Sequence, residues 1–183
     1  MTATLIISGS PSTTSRTTAL AKFVGKRLAQ FHVDSSFLDL RSLPPEDLIF
    51  AHADAPPIVA AVERLAAARG VVIATPVYKA AYSGLLKTFL DLLPQFGLRE
   101  KVVLPLVTGG TPAHVLAIDY ALRPVLHSLD PLHIVPGLFV LDKQITLDAE
   151  GNATLEEDVA NKLDGAISAL VNGLRRAAHQ LID

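Results

Sequence analysis

The sequence predicts an α/β fold: a five-stranded parallel sheet with helices on both faces. Three observations predict it. Short apolar runs of strand length alternate with longer segments whose apolar residues recur at helical spacing. Most of those runs are nearly continuous in apolar residues, as in strands buried on both faces. Half of the 183 residues are hydrophobic and only 19% are charged, enough to fill one substantial core and to exclude a disordered chain. The whole chain, 1–183, is expected to form a single domain.

The elements follow in order. Thr4–Ser8 is an apolar run ending at Gly9-Ser10-Pro11, a strand entering a tight loop. Residues 17–30 place Leu20, Phe23, Val24 and Leu28 at helical spacing. Residues 33–40 alternate and form the second strand. Pro44-Pro45 opens an irregular connection without periodicity. Residues 58–69 are an Ala-rich helix closed by Gly70, and 71–74 are the third strand, ending at Thr75-Pro76. Residues 83–93 put Leu86, Phe89, Leu90 and Leu93 on one helical face, stopped by Pro94. Residues 101–107 are a strand leading into Thr108-Gly109-Gly110-Thr111. A long helix over 113–129, a strand over 133–141 interrupted by Pro136-Gly137, a turn at 148–152 and a closing helix over 155–180 complete the chain. Five such strands suggest the flavodoxin-like order 2-1-3-4-5, in which ligands bind beyond the carboxyl ends near the switch point between strands 1 and 3. That rule singles out three loops: 9–17, 76–84 and 108–113.

Composition narrows the function. A formal net charge of −2 leaves no electrostatic footprint for nucleic acid or an anionic membrane. Without cysteine there is no disulfide framework, thiolate nucleophile or Cys-based zinc site, and no metal site is expected. Residues 1–7 lack the regions of a signal peptide, and no window approaches the roughly 20 apolar residues that span a bilayer. The expectation is a soluble, cytoplasmic protein.

The first loop, Gly9-Ser10-Pro11-Ser12-Thr13-Thr14-Ser15-Arg16-Thr17, is neither G-x-G-x-x-G nor a Walker A motif. A hydroxyl-rich loop entering a helix N-terminus still offers free N–H groups and the positive end of the helix dipole to a phosphate. Ser10, Ser15 and Thr17 supply hydroxyls and Arg16 a charge-assisted contact; the bland alternative is that Ser15 only caps the helix while Arg16 is solvated. In the second loop, Pro76 and Gly84 shape a backbone that can lie along a flat ligand, and Tyr78 offers an aromatic wall. Lys79 is either near a developing negative charge or an ordinary surface lysine, and Ser83 is also a natural N-cap. In the third loop, Thr111-Pro112 fits a helix start, whereas the paired Gly109 and Gly110 suit close approach of a flat ligand. There is no G-x-S-x-G and no H-E-x-x-H. His114 opens the helix after the third loop and can touch a ligand, while His127 and His133 read as structural or interfacial. Asp91 and Asp119 lie inside helices. Chemistry carried by a bound cofactor needs fewer catalytic side chains, so redox is favoured and no catalytic side chain is assigned.

These residues resemble the NAD(P)H-dependent FMN reductases, among them the reductase component of the two-component alkanesulfonate monooxygenase system. The resemblance rests on Gly9-Ser10-Pro11 with Ser15-Arg16, on the unbroken stretch from Ala74 to Gly84, on Thr108-Gly109-Gly110-Thr111, and on the stretch from Ala117 to Pro124. It implies a flavodoxin-like fold binding FMN, with hydride passing from the nicotinamide C4 of NADPH or NADH to flavin N5. It implies a phosphate grip by Ser10, Ser15, Arg16 and Thr17, and ring contacts from Pro76, Val77, Tyr78, Lys79, Ser83, Thr108, Gly109 and Gly110. FMN would be a substrate or loosely bound, and reduced FMN would leave for an FMNH2-dependent monooxygenase that desulfonates alkanesulfonates for sulfur acquisition. Tyr120 matches a tyrosine that, in these reductases, forms a π-helix at a tetramer interface, implying a homo-oligomer, dimer or tetramer, through helix 113–129. Periodicity alone, with Val115, Ile118, Leu122, Val125 and Leu129 in step, gives an unbroken helix. One departure stands out: Ser12-Thr13-Thr14 carries no basic residue, which weakens the anion grip. Two alternatives stay open. One is a quinone or azo reductase that retains FMN; the other is a non-catalytic flavodoxin-type electron carrier, against which the small net charge argues.

Overall fold

A computed structural model describes residues 4–179 of the chain. The strands are β1 (Thr4–Ser8), β2 (Ser35–Asp39), β3 (Gly70–Tyr78), β4 (Ala81–Tyr82), β5 (Val102–Gly109), β6 (His133–Ile134), β7 (Leu138–Leu141), β8 (Ile145–Leu147) and β9 (Ala153–Leu155). The helices are α1 (Arg16–Gln30), α2 (Pro45–Ile49), α3 (Pro56–Ala67), α4 (Gly84–Leu90), α5 (Arg123–Ser128) and α6 (Glu157–His179). The main sheet has the order β2-β1-β3-β5-β6, with every neighbour parallel. Alternate residues of each strand face opposite cores. Leu5, Ile7, Val71 and Ile73 pack against α3, α4 and α5, while Ile6, Val72, Leu104 and Leu106 pack against α1 and α6. This is the flavodoxin-like α/β arrangement, and it raises the carboxyl ends of β1, β3 and β5 into one rim.

The sheet has seven strands rather than the five expected, and two local causes explain the difference. The last position is shared by β6 and β7, which pair with successive parts of β5. The ladder breaks opposite Pro105, which has no N–H to donate. There Gly137 approaches so closely that a Cβ would lie 2.9 Å from Pro105 Cγ. The second cause lies at the rim. β3 runs on past Pro76 to Tyr78 and folds back through Lys79-Ala80 into β4, so the second loop is largely a hairpin.

Other boundaries moved for equally local reasons. Gly70 begins β3 instead of closing a helix: it pairs with Thr4 and Val102, so close to Thr4 that a Cβ would sit 2.7 Å from its Oγ1. Thr108 and Gly109 continue β5 and pair with Val140 and Leu141. The unpatterned connection after β2 contains a 3-10 turn, Leu40–Ser42, and the short α2 with proline at its first position. The helix expected over 113–129 is a 3-10 turn (Pro112–His114), a π-helical stretch (Ile118–Leu122) and then α5. The Arg123 N–H reaches back five residues to the Ile118 carbonyl. Leu155 belongs to β9, whose pairing with β8 makes a hairpin around the turn at 148–152. Among the described residues no helix is long and apolar enough to cross a membrane.

Candidate functional site

The first loop is shaped by what its residues bond to within the protein. Gly9 donates to the Ala74 carbonyl at 2.8 Å, and a Cβ on Gly9 would lie 2.7 Å from Leu86 Cβ. Only glycine lets β1 leave the sheet this close to α4. Ser10 is buried, and its Oγ accepts from the Ser12 N–H at 3.3 Å. Ser15 caps α1 by accepting from the Thr18 N–H at 3.0 Å. The N–H groups of Arg16 and Thr17 then occupy the first turn, where helix geometry provides no acceptor. The Thr17 and Thr108 hydroxyls meet at 2.7 Å and lock α1 to β5. The Arg16 Nε donates to the Ile145 carbonyl at 3.1 Å, tying the β8–β9 hairpin beside the loop. In the turn of that hairpin, hydrogen bonds from Asn152 hold the Asp148 carboxyl below its ordinary pKa.

The second wall is the β3–β4 hairpin. Its two-residue turn has φ of 49° at Lys79 and 63° at Ala80, the doubly left-handed geometry of a tight hairpin, here without glycine. Tyr78 is 48% exposed beside the cavity. Tyr82 sits opposite Val77, and burial raises its hydroxyl pKa against a smaller lowering effect of Lys87. Behind the hairpin, Thr75 Oγ1 accepts from the Ser83 N–H at 3.0 Å, and Ser83 Oγ donates to the Gly9 carbonyl while accepting from Leu86 N–H at 3.1 Å. Gly109 forms the floor, where the Phe139 ring leaves no room for a Cβ.

These walls enclose a depression of about 160 Å³ at the switch point. Ser10, Ser15, Arg16, Thr17, Pro76, Val77, Tyr78, Thr108 and Gly109 all line it. Three residues expected there are placed otherwise. Lys79 lies at the tip of the hairpin turn, Ser83 is fully buried with its hydroxyl engaged by protein, and Gly110 stands just beyond the floor. Ser12, Thr14 and Asp142 complete the lining and were missed by the sequence reading. Ser12 and Thr14 lay inside the first loop already. Asp142 follows the last strand of the sheet directly, so the carboxyl-end rule applied to that strand would have found it. His114 does not line the depression. No cluster of His, Asp or Glu among the described residues could hold a metal ion.

An open parallel sheet that gathers an anion cradle and a flat backbone shelf at its carboxyl rim defines a nucleotide-cofactor-binding α/β protein. The donor set fits a phosphorylated flat heteroaromatic: first-turn N–H groups, hydroxyls and Arg16 at one end, Pro76–Tyr78 and Gly109 at the other. Residues 2–146 match the family described as NADPH-dependent FMN reductase. The chain is 42% identical to the FMN reductase (NADPH) of Escherichia coli strain K12, covering 98% of this chain and 93% of that one. It is 40% identical to the FMN reductase (NADPH) of Pseudomonas putida KT2440, over 93% and 87% of the two chains. A solved structure described as NADH:FMN oxidoreductase (EMOB), apo form, superposes with a TM-score of 0.84 at 42% identity, covering 93% of this chain and 88% of that one. The chain therefore belongs to the NADPH-dependent FMN reductase family and is an oxidoreductase that uses FMN and NAD(P)H.

Proposed function

We propose that this protein reduces FMN with NAD(P)H and releases the reduced flavin to a separate monooxygenase. The observation that carries this reading is the convergence of nine residues expected at the flavin on one rim depression beside the α1 N-terminus. When bound there, FMN supplies the hydride acceptor for the nicotinamide. The chain's own work is positional. The first-turn N–H groups, Ser10, Ser15 and Arg16 hold the phosphate, while Pro76, Val77, Tyr78, Thr108 and Gly109 seat the ring. One feature supports release after turnover: the first loop has no basic residue between Pro11 and Ser15 to add to the anion grip.

Sulfonate desulfonation as the downstream reaction is supported by the likeness of residues 74–84 and 117–124 to sulfonate-system reductases. An oligomer is supported by an apolar shelf of Val115, Leu116 and Tyr120 around the π-helical stretch, with Tyr120 79% exposed. The test is oxidation of NADPH and NADH with FMN, FAD or riboflavin as acceptor. FMN-dependent oxidation with sequential kinetics is expected, and no oxidation with free FMN overturns the proposal. Arg16→Ala should raise the apparent KM for FMN by about ten- to a hundredfold, the worth of a charge-assisted contact. A second reading, an FMN-retaining azo or quinone reductase, is favoured by 30% identity to the NADPH azoreductase of Bacillus sp. OY1-2 over 90% of this chain and 92% of that one. Copurifying yellow flavin and ping-pong kinetics would select it.

A further inference from the structure

We infer that Asp142 is a specificity residue of the flavin site, its carboxylate accepting hydrogen bonds from the ribityl hydroxyls. The inference rests on the flavin reading above and goes beyond it by assigning the middle of the ligand. Asp142 opens a 3-10 turn, Asp142–Gln144, directly after β7, so it rises from the carboxyl end of the last strand position. It lines the same depression as Ser12, Arg16 and Tyr78. Two observations place it between the loops. Toward the ring loops, its Oδ2 lies 3.8 Å from where a Cβ on Gly110 would stand. Toward the phosphate loop, the same turn leads into Ile145, whose carbonyl accepts from Arg16 Nε at 3.1 Å. In FMN the group that spans ring and phosphate is the polyol.

The chemistry selects the same group. Asp142 is half-buried, and among the described residues no lysine, arginine or histidine forms an ion pair with its carboxylate. Asp91, Asp119, Asp130 and Asp158, by contrast, each pair with a lysine or arginine. Its oxygens are open to solvent within the depression and are acceptor-only, so a ligand that displaces that water must bring donors to them. The ribityl chain offers O–H donors. A phosphate dianion offers none and is repelled, so Asp142 also fixes which way along the groove the ligand lies.

The experiment titrates FMN, riboflavin and lumiflavin into the wild-type protein, Asp142→Ala, Asp142→Asn and Arg16→Ala, with thermal melting as the check on folding. Asp142→Ala is expected to weaken FMN and riboflavin by a similar factor of about ten and to leave lumiflavin, which lacks the polyol, unchanged. Asp142→Asn keeps an acceptor and should lie between; it is also the variant to use if the alanine variant melts early. Arg16→Ala should weaken FMN alone. Unchanged binding of all three flavins by both Asp142 variants overturns the inference. So does tighter FMN with unchanged riboflavin, which would put the carboxylate against the phosphate, and so does an equal loss for lumiflavin, which would put it against the ring. Failure of the wild-type protein to take up FMN at all overturns the flavin reading instead, and is seen before any variant is made.

Discussion

The two ends of the main sheet use their polar groups differently. At the base, where β3 and β5 begin, Lys101 is buried and donates from Nζ to the Ala66 and Ala68 carbonyls at 3.0 and 2.8 Å, closing the C-terminal end of α3. Its charge is committed inside the protein. At the rim, Arg16 commits only Nε, the first turn of α1 keeps N–H groups free, and the Asp142 carboxylate has no ion-pair partner among the described residues. Single left-handed residues occur at both ends, such as Glu100 at the base, but the consecutive pair Lys79-Ala80 lies at the rim. Residue type does not separate the two ends: lysine stands at both. What separates them is whether hydrogen-bonding capacity is spent on the fold or left for a ligand.

The largest expected effect breaks the rim. Gly9→Ala forces a Cβ to within 2.7 Å of Leu86 Cβ, which cannot swing away. Overpacking of this kind costs about 2–3 kcal/mol, so Tm should fall by about 4–10 °C and FMN uptake should fall with it. A wild-type Tm for this variant would mean that the loop is not held against α4. Next comes the base. Lys101→Met keeps the apolar stem but strands two carbonyls, costing about 2 kcal/mol in a denaturant melt while FMN affinity stays within about twofold. A loss of FMN affinity there would erase the distinction between the two ends.

The same lysine has a pH signature. Burial holds its pKa below the ordinary 10.5, so between the folded value and 10.5 the unfolded chain binds more protons. Wild-type stability should therefore gain from this group as pH rises through that window, and the Lys101→Met variant should lack the gain. The smallest effect sharpens the rim. Ala80→Gly at φ 63° relieves a left-handed alanine and should raise stability by under about 1 kcal/mol, measured by melting with and without FMN.

The central strands were legible because their apolar runs are long and uninterrupted, and the three loops followed from strand direction alone. What the sequence hid was short or non-periodic. β4 is two residues, and the β8–β9 hairpin has three-residue strands, too brief for an alternating pattern. Gly70 read as the close of a helix and Gly109 as a loop residue, yet both are strand residues whose Cβ would collide with Thr4 and Phe139; Gly109 lines the depression all the same. The π-helical stretch escaped periodicity because Ile118, Leu122, Leu126 and Leu129 keep their buried spacing while Val115 turns outward. Within the site, Ser83 was legible as a cap, and the cap consumes the hydroxyl that the flavin reading had assigned to the ring.

That single hydroxyl has a mechanical consequence. Because Ser83 joins the Gly9 carbonyl, the head of α4 and, through its own amide, Thr75, the first and second loops are tied together at one atom cluster. Removing that hydroxyl, as in Ser83→Ala, should therefore loosen both loops together, while the Lys79-Ala80 tip and the β8–β9 hairpin, which lie outside this cluster, keep their geometry.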